Sequence, residues 1–140
     1  ERLLFLNGYS DGLADALYES GDLFLMPSSF EPCGISQLLA MRAGQPCLVH
    51  GVGGLKDTVV DGVNGFSFKA GVPDPHIALL NTVDAALRMF REEPGRWATL
   101  VEHARSTRFV WRASAEAYMR QLYRVDLPNQ SQSRDHLGSA

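Results

Sequence analysis

The sequence predicts an α/β fold, a parallel sheet flanked by helices, with extra helices toward the C-terminal end. Short apolar runs of strand length alternate with helical periodicities through the first half of the chain, as βαβ units do. The second half carries helical spacing only. Size and composition agree: 140 residues, 45% apolar and 21% charged, suit one domain with a buried core and exclude global disorder.

Taken in order, Leu3-Leu4-Phe5-Leu6 predicts a strand buried on both faces, stopped by Asn7-Gly8. Leu13, Ala16 and Leu17 follow at helical spacing, and Gly21 ends that helix. Leu23–Met26 predicts a second strand, stopped by Pro27, and a loop over Ser28–Pro32 leads to a helix beginning near Gly34. Ile35, Leu38, Leu39 and Met41 give this helix an apolar stripe, and Gly44 closes it. Pro46–His50 predicts a third strand, Gly51–Gly54 a loop, Leu55–Val60 a short helix and Phe66–Phe68 a fourth strand. Asp74-Pro75 places an N-cap before a proline at the first helical position, ahead of a stripe through Ile77, Leu80, Val83, Leu87 and Phe90. Pro94-Gly95 breaks that helix. Trp97, Leu100, Val101 and Ala104 mark another, and Ala115, Tyr118, Leu122 and Val125 a last one starting near Trp111. Residues 1–125 are expected to form the domain and 126–140, which are poor in apolar residues, a disordered tail. The chain opens inside an apolar run, which reads as a cut through a larger protein.

Charge and cysteines exclude several functions. The net charge is −3 with no long basic run, so nucleic acid is not an expected partner. An anionic ligand must then be held by local devices such as helix N-termini. Cys33 and Cys47 form no CxxC pair and have no histidine at metal-ligand spacing, so no metal site is expected. Free thiols suit a reducing compartment, the cytoplasm, and no stretch reaches transmembrane length.

In open parallel sheets, ligands lie beyond the carboxyl ends of the strands. Three segments are expected to converge there: Asn7–Asp11, Pro27–Gln37 and Gly51–Lys56. In the second, Gly34 stands where the helix starts, and the free N–H groups of Cys33, Gly34, Ile35 and Ser36 would point into the crevice as a phosphate site. A carboxylate at Glu31 would repel phosphate. It is better suited to accept hydrogen bonds from hydroxyls beside one, an arrangement that a sugar diphosphate presents; a plain loop with a solvated glutamate has comparable weight on spacing alone. Gly53 and Gly54 permit close approach of backbone to ligand, although composition alone favours a plain turn. Tyr9 can stack on a base or pack at the rim. His50 reads as a satisfied structural histidine, His76, His103 and His136 as solvated, and Asp57 with Asp61 as the wet face of a short helix.

Together these segments resemble a known family. Phe30-Glu-Pro-Cys-Gly-Ile-Ser-Gln37 is similar to the signature FEPCGL(T/S)Q of bacterial glycogen synthases and plant starch synthases. Val52-Gly-Gly-Leu-Lys-Asp-Thr-Val59 resembles their (T/V)GGLxDTV segment, Gly8-Tyr9 their GY, Asp61–Phe66 their DGxxGF turn, and Phe109-Val-Trp111 with Tyr118 and Tyr123 their closing helix. The match keeps its order over residues 4–125. It implies a Rossmann-like domain, the C-terminal half of a GT-B fold, truncated on its N-terminal side. It also implies retaining transfer of glucose from ADP-glucose to an α-1,4-glucan, with no further cofactor.

The resemblance assigns roles position by position. Glu31 would bind the donor hexose hydroxyls and serve as the catalytic position. Cys33, Gly34 and Ile35 would offer backbone contacts to sugar and distal phosphate, and Ser36 a hydroxyl near the phosphates. Tyr9 would stack on adenine, and Gly53 and Gly54 would line the donor site. The glucan acceptor would be held by an N-terminal domain, and an Arg and Lys phosphate clamp would precede residue 1, so the 140-residue chain alone is expected to fold without transferring sugar. Related transferases carry a second glutamate eight residues after the first. Leu39 stands there instead, as in the synthases, and favours them over sucrose- and mannose-transferring relatives. The turn at Val63–Gly65 is shorter than in many synthases. A relative using another nucleotide sugar and acceptor, and a non-catalytic nucleotide-sugar-binding module, are the alternatives.

Overall fold

The structure is a computed structural model, describing residues 3–8 and 10–125. The chain divides into two compact units, Glu1–Thr107 and Arg108–Ala140. In the first, α1 (Asp11–Ser20), β1 (Phe24–Met26), α2 (Ser36–Ala43), β2 (Cys47–His50), α3 (Leu55–Thr58) and β3 (Gly65–Phe68) alternate, followed by α4 (Pro75–Glu92) and α5 (Pro94–Ser106). The second contributes α6 (Trp111–Gln121). The three strands form one parallel sheet in the order β1-β2-β3, with Leu25 opposite Leu48 and Leu48 opposite Phe66. The expected parallel α/β architecture is therefore present.

The central strand explains where the core lies. Successive side chains of a strand point to opposite faces. Cys47 and Val49 pack with Ala40, Met41, Leu55, Val59 and Ala104 on one face of the sheet. Leu48 faces the other way, onto Phe66, Phe68, Ala86, Trp97 and Leu100. Helices thus cover both faces, as an all-parallel sheet requires. The predicted caps hold: Asp74 Oδ1 accepts from the N–H of His76 at 3.0 Å and of Ile77 at 3.1 Å, and Pro75 opens α4.

Four sequence expectations need correction. Leu3–Leu6 is not a strand and is exposed, Phe5 by 83%. Its composition suits burial, but a parallel strand exists only through hydrogen bonds to a neighbour, and β1 pairs only with β2 among the described residues. In α4 the stripe is rotated: Leu79, Val83, Ala86 and Met89 meet the core, whereas Ile77, Leu80 and Leu87 are exposed. Ala86, completely buried in the cluster with Leu48, Phe66 and Phe68, is the small residue of that face. In α1, Leu13 and Leu17 are exposed, and Tyr18 turns inward onto Phe24, ring centroids 5.7 Å apart. Asp61 lies beyond α3, and its Oδ1 accepts from the Ser67 N–H at 2.9 Å, tying the turn to β3. Residues 126–140, expected to be a tail, lie outside the described residues.

Candidate functional site

Two loops leave the carboxyl ends of adjacent parallel strands, Pro27–Ile35 from β1 and Gly51–Gly54 from β2, and they lie directly against each other. The N–H of Gly54 donates to the Glu31 carbonyl at 3.1 Å. A Cβ on Gly53, whose φ is +47°, would overlap that same carbonyl. One on Gly54 would stand 2.5 Å from the Cys33 carbonyl oxygen and 2.6 Å from its Cα. The diglycine therefore admits the backbone of the neighbouring loop, where the sequence suggested close approach to a ligand. His50, at the end of β2, pins the same loop further back. Its Nδ1 lies 3.1 Å from the Ser28 carbonyl, and its ring stacks on Phe68 at 4.7 Å. Only half of the expected satisfaction is present, because the buried Nε2 has no partner among the described residues.

The helix begins two residues later than expected: Ser36 is its first residue and Ile35 its cap. Among the described residues, the backbone N–H groups of Cys33, Gly34, Ile35, Ser36 and Gln37 have no intramolecular acceptor. Gln37 is completely buried, so the four donors from Cys33 to Ser36, at the positive end of an α-helix, are the ones free for an anion. Gly34 is required by its φ of +76°, and the room beside it is not open to a ligand: a Cβ would stand 2.5 Å from Gln37 Oε1. Cys33 is exposed, Ile35 exposed and Ser36 half-buried. Glu31, half-buried, has no hydrogen bond or ion pair to its carboxylate among the described residues. The site thus sets a row of unpaired donors beside one unpaired acceptor-only group, the complement of an anion joined to a polyol.

Glu31, Cys33, Gly34, Ile35, Ser36, Gly53 and Gly54 are brought together by this pair of loops. Asn7 and Gly8 are exposed coil, and Tyr9 lies outside the described residues. Sequence reasoning missed Gln37, a polar residue on a stripe otherwise read from its hydrophobes, which is completely buried beneath the turn. Its helical spacing with Met41, one turn on, was the available signal. No group of three or more His, Cys, Asp or Glu side chains able to hold a metal occurs among the described residues. Nor is any helix among them long and apolar enough to cross a membrane.

Residues 1–89 match the family described as Glycosyl transferases group 1. The chain belongs to that family. Among curated relatives of this glycosyltransferase chain, the glycogen synthase of Moorella thermoacetica is 42% identical over 126 residues, covering 86% of this chain and 25% of its own length. Among solved structures, the catalytic domain of Arabidopsis thaliana starch synthase IV, bound to ADP and acarbose, superposes with a TM-score of 0.72 at 33% identity. It covers 81% of this chain and 24% of that one. Sucrose-phosphate synthase of Thermosynechococcus elongatus gives 0.65 at 29% identity, over 88% and 30%. The chain thus spans about a quarter of the length of the glycogen synthases it matches. The resemblance to glycogen and starch synthases is borne out, and the sheet with its helices is the Rossmann-like domain of a GT-B fold.

Proposed function

We propose that this glycosyltransferase chain is the donor-binding part of a retaining enzyme that moves glucose from ADP-glucose to the end of an α-1,4-glucan. The observation that carries the proposal is the juxtaposition of the free N–H groups from Cys33 to Ser36 with the unpaired carboxylate of Glu31. In this reading the N–H groups take the distal phosphate of the donor, and Glu31 accepts hydrogen bonds from the hexose hydroxyls. The bond from the anomeric carbon to the diphosphate oxygen breaks and its electron pair leaves with the diphosphate. A bond to the acceptor hydroxyl forms on the same face, and the acceptor's proton passes to the departing diphosphate oxygen. Preorganised N–H dipoles stabilise the charge that develops on the departing oxygen.

Adenine as the base and a glucan as the acceptor are supported by the starch synthase likeness and by Leu39, which stands where a second glutamate belongs in the sucrose-transferring relatives. The likeness to sucrose-phosphate synthase favours a second reading, a hexosyltransferase with another donor and acceptor. Thermal denaturation of the protein with ADP, ADP-glucose, UDP, UDP-glucose and GDP separates the two. ADP and ADP-glucose are expected to raise the melting temperature most, because ligand that binds only the folded state stabilises it. A larger rise with UDP-glucose selects the second reading, and no rise with any nucleotide overturns both.

A further inference from the structure

Gln37 is the most completely buried polar side chain in the chain's described part, at 0% exposure, and it lies directly beneath the turn that carries the free N–H groups. Its Nε2 donates to the Cys33 carbonyl at 3.0 Å and to the Gly34 carbonyl at 3.0 Å. Thr58 Oγ1, at the end of α3, is a third acceptor at 3.4 Å, and that hydroxyl donates to the Gly54 carbonyl at 2.9 Å. Oε1 has no hydrogen-bond donor among the described residues and faces the hydrogen that occupies the Cβ direction of Gly34. One carboxamide thus joins the turn before α2 to the diglycine loop.

We propose that Gln37 is a positioning residue for the phosphate of the donor, acting through the peptide groups it holds. Every described peptide here is trans, and in a planar trans peptide the C=O and N–H point in opposite directions. The Cys33 carbonyl shares its peptide with the Gly34 N–H, and the Gly34 carbonyl shares its peptide with the Ile35 N–H. Drawing both carbonyls inward onto one Nε2 turns both N–H groups away from the core. Gly34 in the left-handed region followed by Ile35 in the right-handed helical region makes these successive N–H groups a concave anion-binding turn. Without the carboxamide, the Cys33 carbonyl loses its donor in a part-buried place and the Gly34 carbonyl keeps only the weak Cys33 thiol, at 3.6 Å, so nothing holds the two peptides against rotation. Rotation carries the N–H groups off the phosphate. Gln37 touches no ligand in this scheme, so its effect is confined to whatever those two N–H groups hold.

The assignment rests on the donor-site reading above, and the test distinguishes the two. Binding of ADP and of AMP is measured by calorimetry for the unsubstituted protein, Gln37→Met and, as a control for a lost buried amide elsewhere, Asn64→Ala. Gln37→Met keeps the length of the side chain without its donor. It is expected to weaken ADP at least ~tenfold while AMP, which lacks the distal phosphate, binds about as before. Asn64→Ala is expected to leave the ratio of the two affinities unchanged. A folded Gln37→Met protein with the original ratio overturns the assignment alone, and no ADP binding by the unsubstituted protein overturns it together with the donor-site reading. Where Gln37→Met does not fold, the unsubstituted protein decides by NMR. The side-chain amide resonances of Gln37 are expected to shift with the Gly34 and Ile35 N–H signals when ADP is added, and amide resonances that stay in place while those two signals move overturn the assignment.

Discussion

The Gly54 N–H donates across the gap between two loops to the carbonyl of Glu31, at 3.1 Å, and Gly53 beside it leaves no room for a side chain against that carbonyl. The position of Glu31 is therefore set by glycines from a different βα connection. Gly53→Ala puts a methyl group onto a backbone atom and asks a non-glycine residue to hold φ at +47°. The left-handed conformation alone costs about 1–2 kcal/mol. With the overlap added, urea denaturation is expected to show a loss of at least ~2 kcal/mol, and sugar transfer by the longer enzyme that carries this chain to fall through displacement of the Glu31 loop. Unchanged stability and transfer in this variant would mean the two loops part freely.

The fold was legible where local chemistry decides it. Asp74-Pro75 specifies a helix start through a cap and a fixed φ, and Leu48 between Cys47 and Val49 specifies a strand covered on both faces. Leu3–Leu6 was misread because apolar composition says that a segment wants cover, not that a neighbouring strand supplies it. The face of α4 was misread because Ala86 carries little hydrophobic weight, yet it is completely buried in the cluster with Leu48, Phe66 and Phe68. At the site, the signature around Glu31 and Gly34 stood out as sequence. The partnership of Gly53 with Glu31 and of Gln37 with Cys33 did not. The first joins residues from separate loops, and the second depends on which way a buried amide points.

Asn64 is expected to matter for stability and not for chemistry. Its Oδ1 accepts from the Val60 N–H at 2.7 Å, and its Nδ2 donates to the Thr58 carbonyl at 3.1 Å and to Thr107 Oγ1 at 3.3 Å. Only 4% of the residue is exposed, so water does not replace these bonds. Asn64→Ala is expected to cost about 2–3 kcal/mol in urea denaturation, given the price of unsatisfied buried groups. A loss below ~0.5 kcal/mol would show that the turn repacks without it.

The two cysteines are expected to separate by reactivity. Burial pushes the Cys47 thiol up to about 12, against only a partial lowering by a backbone hydrogen bond, whereas Cys33 is exposed. Iodoacetamide at pH 8 is therefore expected to label Cys33 alone in the folded protein and both thiols in urea, as read by mass spectrometry. Linkage gives a second readout. The folded pKa of Cys47 is raised, so the folded state keeps a proton that the unfolded chain loses above its ordinary value of 9.0. This contribution is complete below pH 9 and is lost as pH rises toward 12. At pH 10.5 the unsubstituted protein is expected to have lost about 2 kcal/mol more, relative to pH 8, than Cys47→Ala. Equal losses in the two proteins would place Cys47 in contact with water.

Glu31 permits the most direct test of the proposed chemistry, because its side chain and its backbone have separate tasks. The backbone carbonyl is held by Gly54, while the carboxylate has no partner among the described residues. Glu31→Ala therefore removes the acceptor and leaves the contact that fixes the loop. The N–H groups from Cys33 to Ser36 keep their geometry, so ADP is expected to bind the variant about as tightly as it binds the unsubstituted protein. Transfer is a different matter. A hydrogen bond to a charged acceptor typically contributes about 1.5–3 kcal/mol, and one that strengthens as positive charge develops on the sugar acts on the rate rather than on binding. In the longer enzyme of which this chain is proposed to be the donor-binding part, turnover with ADP-glucose is thus expected to fall by roughly tenfold or more at saturating donor. Calorimetry with ADP and steady-state kinetics on the same preparations check both halves. Loss of ADP affinity would place Glu31 on the nucleotide, and undiminished turnover would remove it from the reaction.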